Sequence, residues 1–349
     1  MSGERGKAGT ASMCEALVAR GAGDIRIERR AVKEPAPHEA VVAVGYGGIC
    51  GSDLHYWSHG AVGESVLRAP MVLGHEVAGH VLSAAADGSG PAEGTAVAVH
   101  PASPCGGCDY CAAGRASLCP RTSYLGSAAR VPHTDGALAQ RFVVTAGRLL
   151  PLPDTVPVRK GALAEPASVA WHAVSRAGEV KGKRVLVVGA GPIGALVVAV
   201  LRRAGAGEIV VTDLHERPVR IAGLLGATTG FTGPPPPGLD AEVAIESSGS
   251  PSGVATAVAG LRRGGHLVLL GLPPKPEQPF PAGLVATREL TIAGSFRFHT
   301  EMAEVIAALG DGSLDVEPVI SHEFPLREAE TAFAVAADPS ASGKVLLRC

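Results

Sequence analysis

Short apolar runs separated by glycine and proline dominate the first part of the chain. From Met13 to about Val144 they include EAVVAVGYGG, HEVAGHVLSA and TAVAVHP. Apolar runs of this length, bounded by turn-forming residues, are typical of β-strands. The pattern therefore predicts a small β-barrel or sandwich for this region.

The hydrophobic pattern changes at Lys183. KRVLVVGAG is typical of a buried strand and PIGALVVAVLRRAG of a following helix, and the alternation continues through EIVVTD, RPVRIAGLLGA, AEVAIESSG, PSGVATAVAGLRRG and GGHLVLLG. LTIAGSF is placed to supply a last strand. Because strands alternate with helices, this part is predicted to be a doubly wound parallel sheet, which makes the fold class α/β.

Three further segments have patterns of their own. The first twelve residues are polar and rich in glycine, which predicts a disordered tail. EPASVAWHAVSRAG, residues 165–178, is predicted to be a helix closed by a glycine. After Thr300 the pattern predicts one helix, EMAEVIAALGDG, and a final strand-like piece, GKVLLR.

Composition and charge narrow the class of function. The 349 residues are 46% hydrophobic and carry a net charge of −2 with no large basic block, so nucleic acid is not an expected partner. The uncharged run at residues 185–201 is short for a membrane span and is broken by a glycine turn, so no membrane association is expected. No secretory signal is evident, which favours the reducing cytoplasm, where clustered cysteines bind metal more often than they form disulfides.

A dinucleotide-binding motif lies between the first strand and the first helix of the α/β part. Its G-x-G-x-x-G residues are Gly189, Gly191, Pro192, Ile193 and Gly194. In this context glycines permit a tight turn and the close approach of a pyrophosphate to the helix N-terminus. A turn that needs glycine only for packing is the alternative.

An acidic residue at the end of the second strand bears on the choice of dinucleotide. Asp213 can accept hydrogen bonds from the adenosine ribose hydroxyls of NAD, and it would repel the 2′-phosphate of NADP. Arg217 lies four residues later and could tolerate that phosphate. The sequence therefore predicts NAD as cofactor and leaves NADP as the less favoured alternative, while a helix-capping aspartate is the purely structural explanation.

Four of the seven cysteines follow the spacing C-x2-C-x2-C-x7-C: Cys105, Cys108, Cys111 and Cys119. Four thiolates suit a closed tetrahedral zinc site, which leaves no position open for water or substrate. Four cysteines that are merely buried are the alternative, but this spacing disfavours it. We therefore predict a structural zinc ion at this cluster.

A second set of possible ligands comes earlier in the chain. Cys50 lies in GICGSDLHYW, and His75 and Glu76 lie in GHEVAGH. A thiolate, an imidazole and a carboxylate with a fourth position free are typical of catalytic zinc. A lone cysteine is usually a core residue, so this prediction depends on the combination with a hydride-carrier domain. The sequence thus predicts two zinc ions per chain, one structural and one catalytic.

GICGSDLH, GHEVAGHV, the four-cysteine segment and GAGPIG, in this order, resemble the zinc-dependent medium-chain dehydrogenases from about Met13 onwards. CGSDLHYW and EPASVAWHA are similar to the polyol dehydrogenase branch of that family. The resemblance implies a GroES-like catalytic domain of residues 13–160 and 300–349 and a Rossmann NAD-binding domain of residues 161–299, after a tail of residues 1–12. It also implies a homo-oligomer, either a tetramer or a dimer.

The resemblance also implies roles for residues around the catalytic metal. It makes Cys50, His75 and Glu76 the zinc ligands, while Glu165 is either a further ligand or holds the water or substrate at the metal. Classical alcohol dehydrogenases use a second cysteine as third ligand, but Cys14 and Cys349 lie near the termini. That departure supports the branch with a carboxylate ligand.

Further positions match the family's catalytic and substrate sites. Ser52 and His55 match its proton relay, and Asp53 could orient a ligand. The residues that match substrate contacts of the polyol branch are Tyr56, Glu165 and Arg297. Arg297 lies in the sequence FRF and is expected in the cleft between the domains, with an interdomain ion pair as the alternative.

The implied reaction is oxidation of a secondary alcohol of a sugar acid or polyol, with NAD as the hydride acceptor. A sugar-acid carboxylate would need further donors, for which Arg121, Arg130 and His133 are candidates. Two alternatives stay open: a dehydrogenase of the same fold for threonine or a simple alcohol, and a nucleotide-binding protein without enzyme activity. The second is disfavoured because both ligand sets and both relay residues are intact.

Overall fold

The computed structural model describes residues 12–273 and 277–349. The tail predicted for residues 1–12 lies almost entirely outside these ranges. The strands of the first half are β1 (Met13–Gly21), β2 (Asp24–Ala31), β3 (Glu39–Gly48), β4 (Ala61–Val62), β5 (Ser65–Val66), β6 (Met71–Val72), β7 (Glu76–Ser83), β8 (Ala96–Val99), β9 (Ala102–Ser103), β10 (Ser123–Tyr124), β11 (Arg141–Thr145) and β12 (Leu149–Pro151). The helices are α1 (Gly51–His59), α2 (Asp109–Ala112), α3 (Val158–Gly161) and α4 (Ala164–Arg176).

The second half alternates between the two kinds of element. It contains β13 (Arg184–Val188), α5 (Pro192–Arg203), β14 (Glu208–Asp213), α6 (Glu216–Leu224), β15 (Thr229–Thr232), β16 (Ala241–Glu246), α7 (Pro251–Gly260), β17 (Leu261–Leu269), α8 (Ala282–Thr287) and β18 (Thr291–Gly294). It closes with α9 (Glu301–Gly310), β19 (Ile320–Pro325), α10 (Ala329–Ala336) and β20 (Lys344–Arg348).

The β-rich first half is organised around a seven-stranded sheet. Its strands follow the order β12-β8-β7-β3-β20-β19, and β11 also pairs with β3. β20 comes from the far end of the chain, yet it lies antiparallel to β3 and places Leu346 opposite Gly48. The sheet is therefore complete only when β20 pairs with β3, about 300 positions earlier in the chain.

The predicted doubly wound parallel sheet is confirmed. Its six strands follow the order β15-β14-β13-β16-β17-β18, and every neighbouring pair is parallel. The strand order reverses between β13 and β16, so the crevice at their carboxyl ends is where this topology places a ligand. The glycine motif follows β13 directly and therefore lines that crevice.

Helix α4 joins the two sheets. The helix predicted for residues 165–178 is confirmed at Ala164–Arg176, and Gly178 follows it at a φ of 72°. α4 packs against α5 and α9, and its buried face shares one hydrophobic core with Ala78 and Leu346 of the seven-stranded sheet. No helix within the described ranges is both long enough and apolar enough to cross a membrane.

The prediction of a single helix after Thr300 is wrong, because the described residues there form two, α9 and α10. α10 is short and rich in alanine, so its pattern is weak, although Ala329, Ala332 and Phe333 are buried at helical spacing. The edge strand β15 was also not predicted. It has no apolar run and three of its four residues are exposed.

Candidate active site and metal centres

The first metal cluster forms where α1 and β7 begin. Cys50 precedes α1, His75 precedes β7, and Glu76 is the first residue of β7. One ligand atom from each of the three lies within 4.8 Å of the others. His75 and Glu76 are buried and Cys50 is half-buried. The fold therefore brings together the three residues that the sequence singled out.

Asp53 ties the two ligand-bearing segments together. Its fully buried carboxylate accepts hydrogen bonds from the backbone N–H of Cys50 at 2.9 Å and of Gly74 at 3.1 Å. Burial raises the pKa of Asp53, and the nearby His75 opposes that shift. The sequence suggested that Asp53 orients a ligand. In the structure its hydrogen bonds join the backbone of Cys50 to that of Gly74, the residue before His75.

Lys344 is a site residue that sequence reasoning missed. Its buried ammonium donates to both carboxylate oxygens of Glu76, at 2.8 and 2.7 Å, and to the carbonyl of Ile49 at 3.1 Å. Burial lowers the pKa of Lys344, but the charges of Glu76 and Cys50 outweigh it and raise the pKa overall. A lysine at the start of the apolar run KVLL was the available signal.

The donor set and its electrostatics fit a bound cation. Burial alone would lower the pKa of His75, but the Cys50 thiolate and the Glu165 and Asp53 carboxylates raise it to about 10. The groups around His75 thus favour a positive charge at this position. The His75 Nδ1 is also buried without a hydrogen-bond partner among the described residues. Sulfur, nitrogen and oxygen donors of this kind suit zinc.

Glu165 lies beside this cluster but outside it. It is buried in the first turn of α4, and it does not belong to the group of atoms that lie within 4.8 Å of one another. Its Oε1 accepts a hydrogen bond from the phenol of Tyr124 at 2.6 Å. Burial raises the pKa of Glu165, which His75 partly offsets. In this structure the Glu165 carboxylate is hydrogen-bonded to Tyr124 and lies near enough to His75 and Glu76 for their charges to affect its pKa.

The other predicted substrate residues lie around Tyr124 and the loop after it. The guanidinium of Arg297 stacks on the Tyr124 ring, 3.9 Å from its centroid. The phenol oxygen of Tyr56 accepts a hydrogen bond from the backbone N–H of Ala128 at 2.9 Å. Burial lowers the pKa of Arg297. Tyr56 and Arg297 lie near enough to each other for the charge of Tyr56 to affect that pKa as well. Tyr124 was not singled out from the sequence.

The predicted relay residues lie on α1. Ser52 is half-buried and His55 is exposed, and their spacing of three residues puts them on one face of the helix. The His55 ring lies 5.7 Å from that of His59, centroid to centroid. Burial, and then His59, lower the pKa of His55. His55 is therefore suited to exchange protons with solvent as a neutral base near pH 7.

The second metal cluster is a single loop. Cys105, Cys108, Cys111 and Cys119 each place a sulfur within 4.8 Å of the others, and the intervening residues form the short helix α2. The Cys108 and Cys111 sulfurs are 3.5 Å apart. Four sulfurs and no other donor fit a closed zinc site with no open position.

Backbone donors and an arginine favour the thiolate form at one cysteine of this cluster. The N–H of Gly107 is the largest cause that lowers the pKa of the Cys105 thiol to about 6, with Cys119, Cys108 and Arg121 adding to it. Arg121 is thus directed to Cys105, although the sequence made it a candidate for substrate.

The other two candidate donors for a carboxylate lie in an exposed loop. Arg130 donates to the carbonyl of Pro120 at 3.1 Å. His133 Nε2 accepts from the N–H of Arg68 at 2.8 Å, and its Nδ1 pairs with the Arg130 carbonyl at 2.7 Å. The structure gives both side chains partners in this loop and places neither in the cluster of Cys50, His75 and Glu76.

The glycine motif has three different physical requirements. Gly189 has a φ of 87°, and a side chain there would meet Ser248 at 2.8 Å. A side chain at Gly194 would meet the Gly189 carbonyl at 1.9 Å. At Gly191, by contrast, a Cβ would meet nothing within 4 Å. Packing explains the first two glycines, whereas Gly191 leaves open space in front of α5, where a pyrophosphate fits.

Asp213 and Arg217 lie beside this turn. The Asp213 carboxylate accepts from the backbone N–H of Ala190 at 2.7 Å and of His215 at 3.0 Å. The Arg217 Nε is buried and has no hydrogen-bond partner among the described residues. The carboxylate of Asp213, the last residue of β14, is therefore hydrogen-bonded directly to the glycine turn.

Comparisons with known proteins agree with this architecture. The alcohol dehydrogenase GroES-like domain matches residues 36–154, and the zinc-binding dehydrogenase domain matches residues 192–311. The chain is 37% identical to L-idonate 5-dehydrogenase (NAD(P)(+)) of Escherichia coli, over 88% of this chain and 91% of that protein. It is 36% identical to sorbitol dehydrogenase of Gallus gallus, over 96% of each chain.

The similarity extends to three dimensions. The crystal structure of L-idonate 5-dehydrogenase from Escherichia coli superposes with a TM-score of 0.92 at 33% identity. The superposition covers 97% of this chain and 99% of that chain. Both sheets and the connection between them are therefore shared over nearly the whole length.

Proposed function

Because the chain belongs to the zinc-binding alcohol dehydrogenase family, with zinc and NAD(P) as cofactors, we propose that it oxidises a secondary alcohol of a sugar acid. L-idonate is the leading substrate, with 5-keto-D-gluconate as product. Polyols of the sorbitol and xylitol type are the second candidate, which the likeness to sorbitol dehydrogenase favours. Bound zinc would supply a Lewis acid for the substrate oxygen, and the nicotinamide would accept a hydride.

Two zinc ions per chain are proposed, and each has its own residues. Cys50, His75 and Glu76 would hold the catalytic ion, because their sulfur, nitrogen and oxygen donors converge within 4.8 Å of one another. The four cysteines of residues 105–119 would hold the structural ion. Glu165 is proposed to serve the substrate and not the metal, since its carboxylate is turned to Tyr124.

The observation that carries the sugar-acid proposal is the pairing of Glu165 with Arg297 around one tyrosine. A buried carboxylate can accept hydrogen bonds from substrate hydroxyls, while a half-buried guanidinium can bind a substrate carboxylate through two donors. A neutral polyol would use only the first of these groups. Tyr56, which lies near Arg297, would line the same cleft.

The relay proposed for the substrate proton uses α1. Ser52 would accept it near the metal, and His55 would pass it to solvent, because His55 is exposed on the same face of the helix. The lowered pKa of His55 keeps its imidazole neutral and able to accept a proton near pH 7.

NAD is proposed over NADP because of Asp213. Each carboxylate oxygen can accept two hydrogen bonds, so ribose hydroxyls can share it with the N–H groups of Ala190 and His215. Asp213→Ser should reduce the NAD preference in kcat/KM by about tenfold, with the unpartnered Arg217 then available to a 2′-phosphate. Comparable kcat/KM for NAD and NADP in the wild type would contradict this assignment.

We propose that the chain forms two units. The catalytic unit comprises residues 13–160 and 300–349, and the cofactor unit comprises residues 161–299. The return of β20 to β3 supports the first, whereas α9 packs on α4 and so belongs to the contact between the units. A homo-oligomer, dimer or tetramer, is also proposed. Light scattering would measure its state.

A substrate panel tests the proposed function. L-idonate, sorbitol, xylitol and L-threonine should be compared at equal concentration with NAD, and L-idonate is expected to have the highest kcat/KM. If a neutral polyol is better than L-idonate, the sugar-acid proposal fails while the branch stands. If none of the four is oxidised by zinc-loaded protein, the assignment to the polyol branch is wrong.

A further inference from the structure

Tyr124 is buried in the cleft, and the proposed reaction gives it no step of its own. It lies in β10, just after the four-cysteine loop, and its side chain is buried. Three groups of the site touch it. Its hydroxyl donates to Glu165 at 2.6 Å, its ring face lies 3.9 Å under the Arg297 guanidinium, and its ring meets His75 at a centroid distance of 5.4 Å.

The hydrogen bond fixes one half of the Glu165 carboxylate. Within the described ranges Tyr124 is the only hydrogen-bond donor to Glu165, and it uses Oε1. A carboxylate held at one oxygen keeps a single orientation and has its second oxygen free to accept a hydroxyl. Without the phenol, the Glu165 side chain would occupy several rotamers, and ordering it on substrate binding would weaken the affinity.

The aromatic ring of Tyr124 contacts the positively charged guanidinium of Arg297. Arg297 has a φ of 55°, a backbone conformation that residues other than glycine rarely adopt, and its guanidinium lies over the rings of both Tyr124 and Phe296. A guanidinium that stacks on an aromatic face leaves its edge donors free for a carboxylate. The Tyr124 ring therefore determines where those donors point.

We propose that Tyr124 is a positioning residue for substrate selection: its hydroxyl orients Glu165 towards substrate hydroxyls, and its ring orients Arg297 towards a substrate carboxylate. This inference rests on the proposed function. It predicts that the two parts of one side chain can be separated by mutation, because removing the hydroxyl should affect both substrates equally, whereas removing the ring should also change the preference between them.

The first variant, Tyr124→Phe, removes only the hydroxyl. Its matched control is Tyr110→Phe, the same change at an exposed tyrosine on α2. Loss of a hydrogen bond to a buried carboxylate should raise KM about tenfold for L-idonate and for its neutral counterpart L-iditol alike. The kcat should stay within about threefold of wild type, because the contact is made equally in the ground and transition states.

The second variant, Tyr124→Leu, also removes the ring. The kcat/KM for L-idonate should now fall further than that for L-iditol. The ratio of the two kcat/KM values should therefore be about fivefold below the wild-type ratio. Tyr124→Phe should leave that ratio unchanged. Calorimetric titration of L-idonate into the NADH complex should show the same order of affinities, which is a readout independent of turnover.

Zinc content and melting temperature, measured on the same samples, separate this role from a structural one. If Tyr124→Phe matches Tyr110→Phe in KM for both substrates, or loses a zinc ion, the inference is overturned, since the tyrosine would then act by packing or through His75. Equal losses for both substrates in Tyr124→Leu would overturn the role of the ring. If the wild type oxidises neither substrate, the proposed function fails and the specificity role fails with it, whereas the other outcomes leave the proposed function intact.

Discussion

The two metal clusters of this chain are built in opposite ways. The cysteine cluster takes all its ligands from residues 105–119, and only Cys119 is buried. The other cluster takes Cys50 from just before α1, His75 from just before β7 and Glu76 from β7 itself, and Lys344 of β20 supports it. Because the cysteine loop is mostly exposed, we expect it to depend on its metal to stay folded, whereas a cluster at the meeting point of strands is held by the sheet. The second can therefore leave a coordination position open for chemistry.

Removing a ligand from the cluster held by the sheet should have the largest effect, and on activity alone. Cys50→Ser is expected to lower kcat/KM by at least about 1,000-fold, since one metal is lost where the substrate binds. The melting temperature should change little, because the surrounding strands remain paired. Kinetics with L-idonate, zinc analysis and thermal denaturation would measure these effects. A variant that holds one zinc ion per chain and keeps full activity would reverse the roles of the two clusters.

Lys344→Met tests whether Lys344 supplies the positive charge that stabilises the buried Glu76 carboxylate when no metal is bound. The change leaves the Glu76 carboxylate buried without its cation, which should cost about 3 kcal/mol of unfolding free energy in zinc-free protein. Zinc should restore part of that loss by supplying positive charge. Lys344→Arg is the control, since it keeps the charge. Chemical denaturation with and without zinc would reveal the difference, and equal losses in both states would argue against the compensation.

Removing a ligand from the loop cluster should act on stability. Cys108→Ser is expected to lower the unfolding free energy by about 2 kcal/mol and the zinc content towards one per chain. Activity per folded molecule should stay within about threefold of wild type. If the variant kept its stability and lost only the chemical step, the structural role of this cluster would be refuted.

The smallest effect is expected from Arg121→Gln. The pKa of Cys105 lies at about 6 in the metal-free fold, below its usual value, so the thiolate is favoured above that pH and is lost as the pH falls through it. Protonation then competes with zinc, so zinc retention should fall as the pH is lowered. Because Arg121 favours the thiolate, its removal should move the midpoint of zinc release to slightly higher pH. Chelator-trapped zinc release across pH 5 to 8 would measure it, and an unchanged midpoint would count against this role.

What the sequence predicted well was local. The parallel sheet and its glycine turn follow from patterns within some twenty neighbouring residues, and the four-cysteine spacing belongs to one loop. Cys50, His75 and Glu76 were identified by their combination and by family resemblance. Their convergence depends on β3 and β7, which pair over long range.

The residues that were missed act through contacts between distant segments. Lys344 is separated from Glu76 by 268 positions, and Tyr124 from Glu165 by 41. Neither belongs to a spacing motif, since a buried lysine in an apolar strand and a tyrosine after a cysteine loop are common. Helix α10 was missed for a different reason: alanine at its buried positions gives only a weak periodic signal.

The pairing of β20 with β3 has a consequence for the order in which the molecule forms. The βα units of the parallel sheet close over short stretches, so they can fold while the chain is still being synthesised. The Glu76 carboxylate can be buried with its counter-charge only after Lys344 has been synthesised, because that lysine lies 268 positions further along the chain. We therefore expect the catalytic cleft to be the last part of the molecule to mature. Nascent chains stopped short of β20 should already bind nucleotide through their finished sheet, yet have no competent metal pocket.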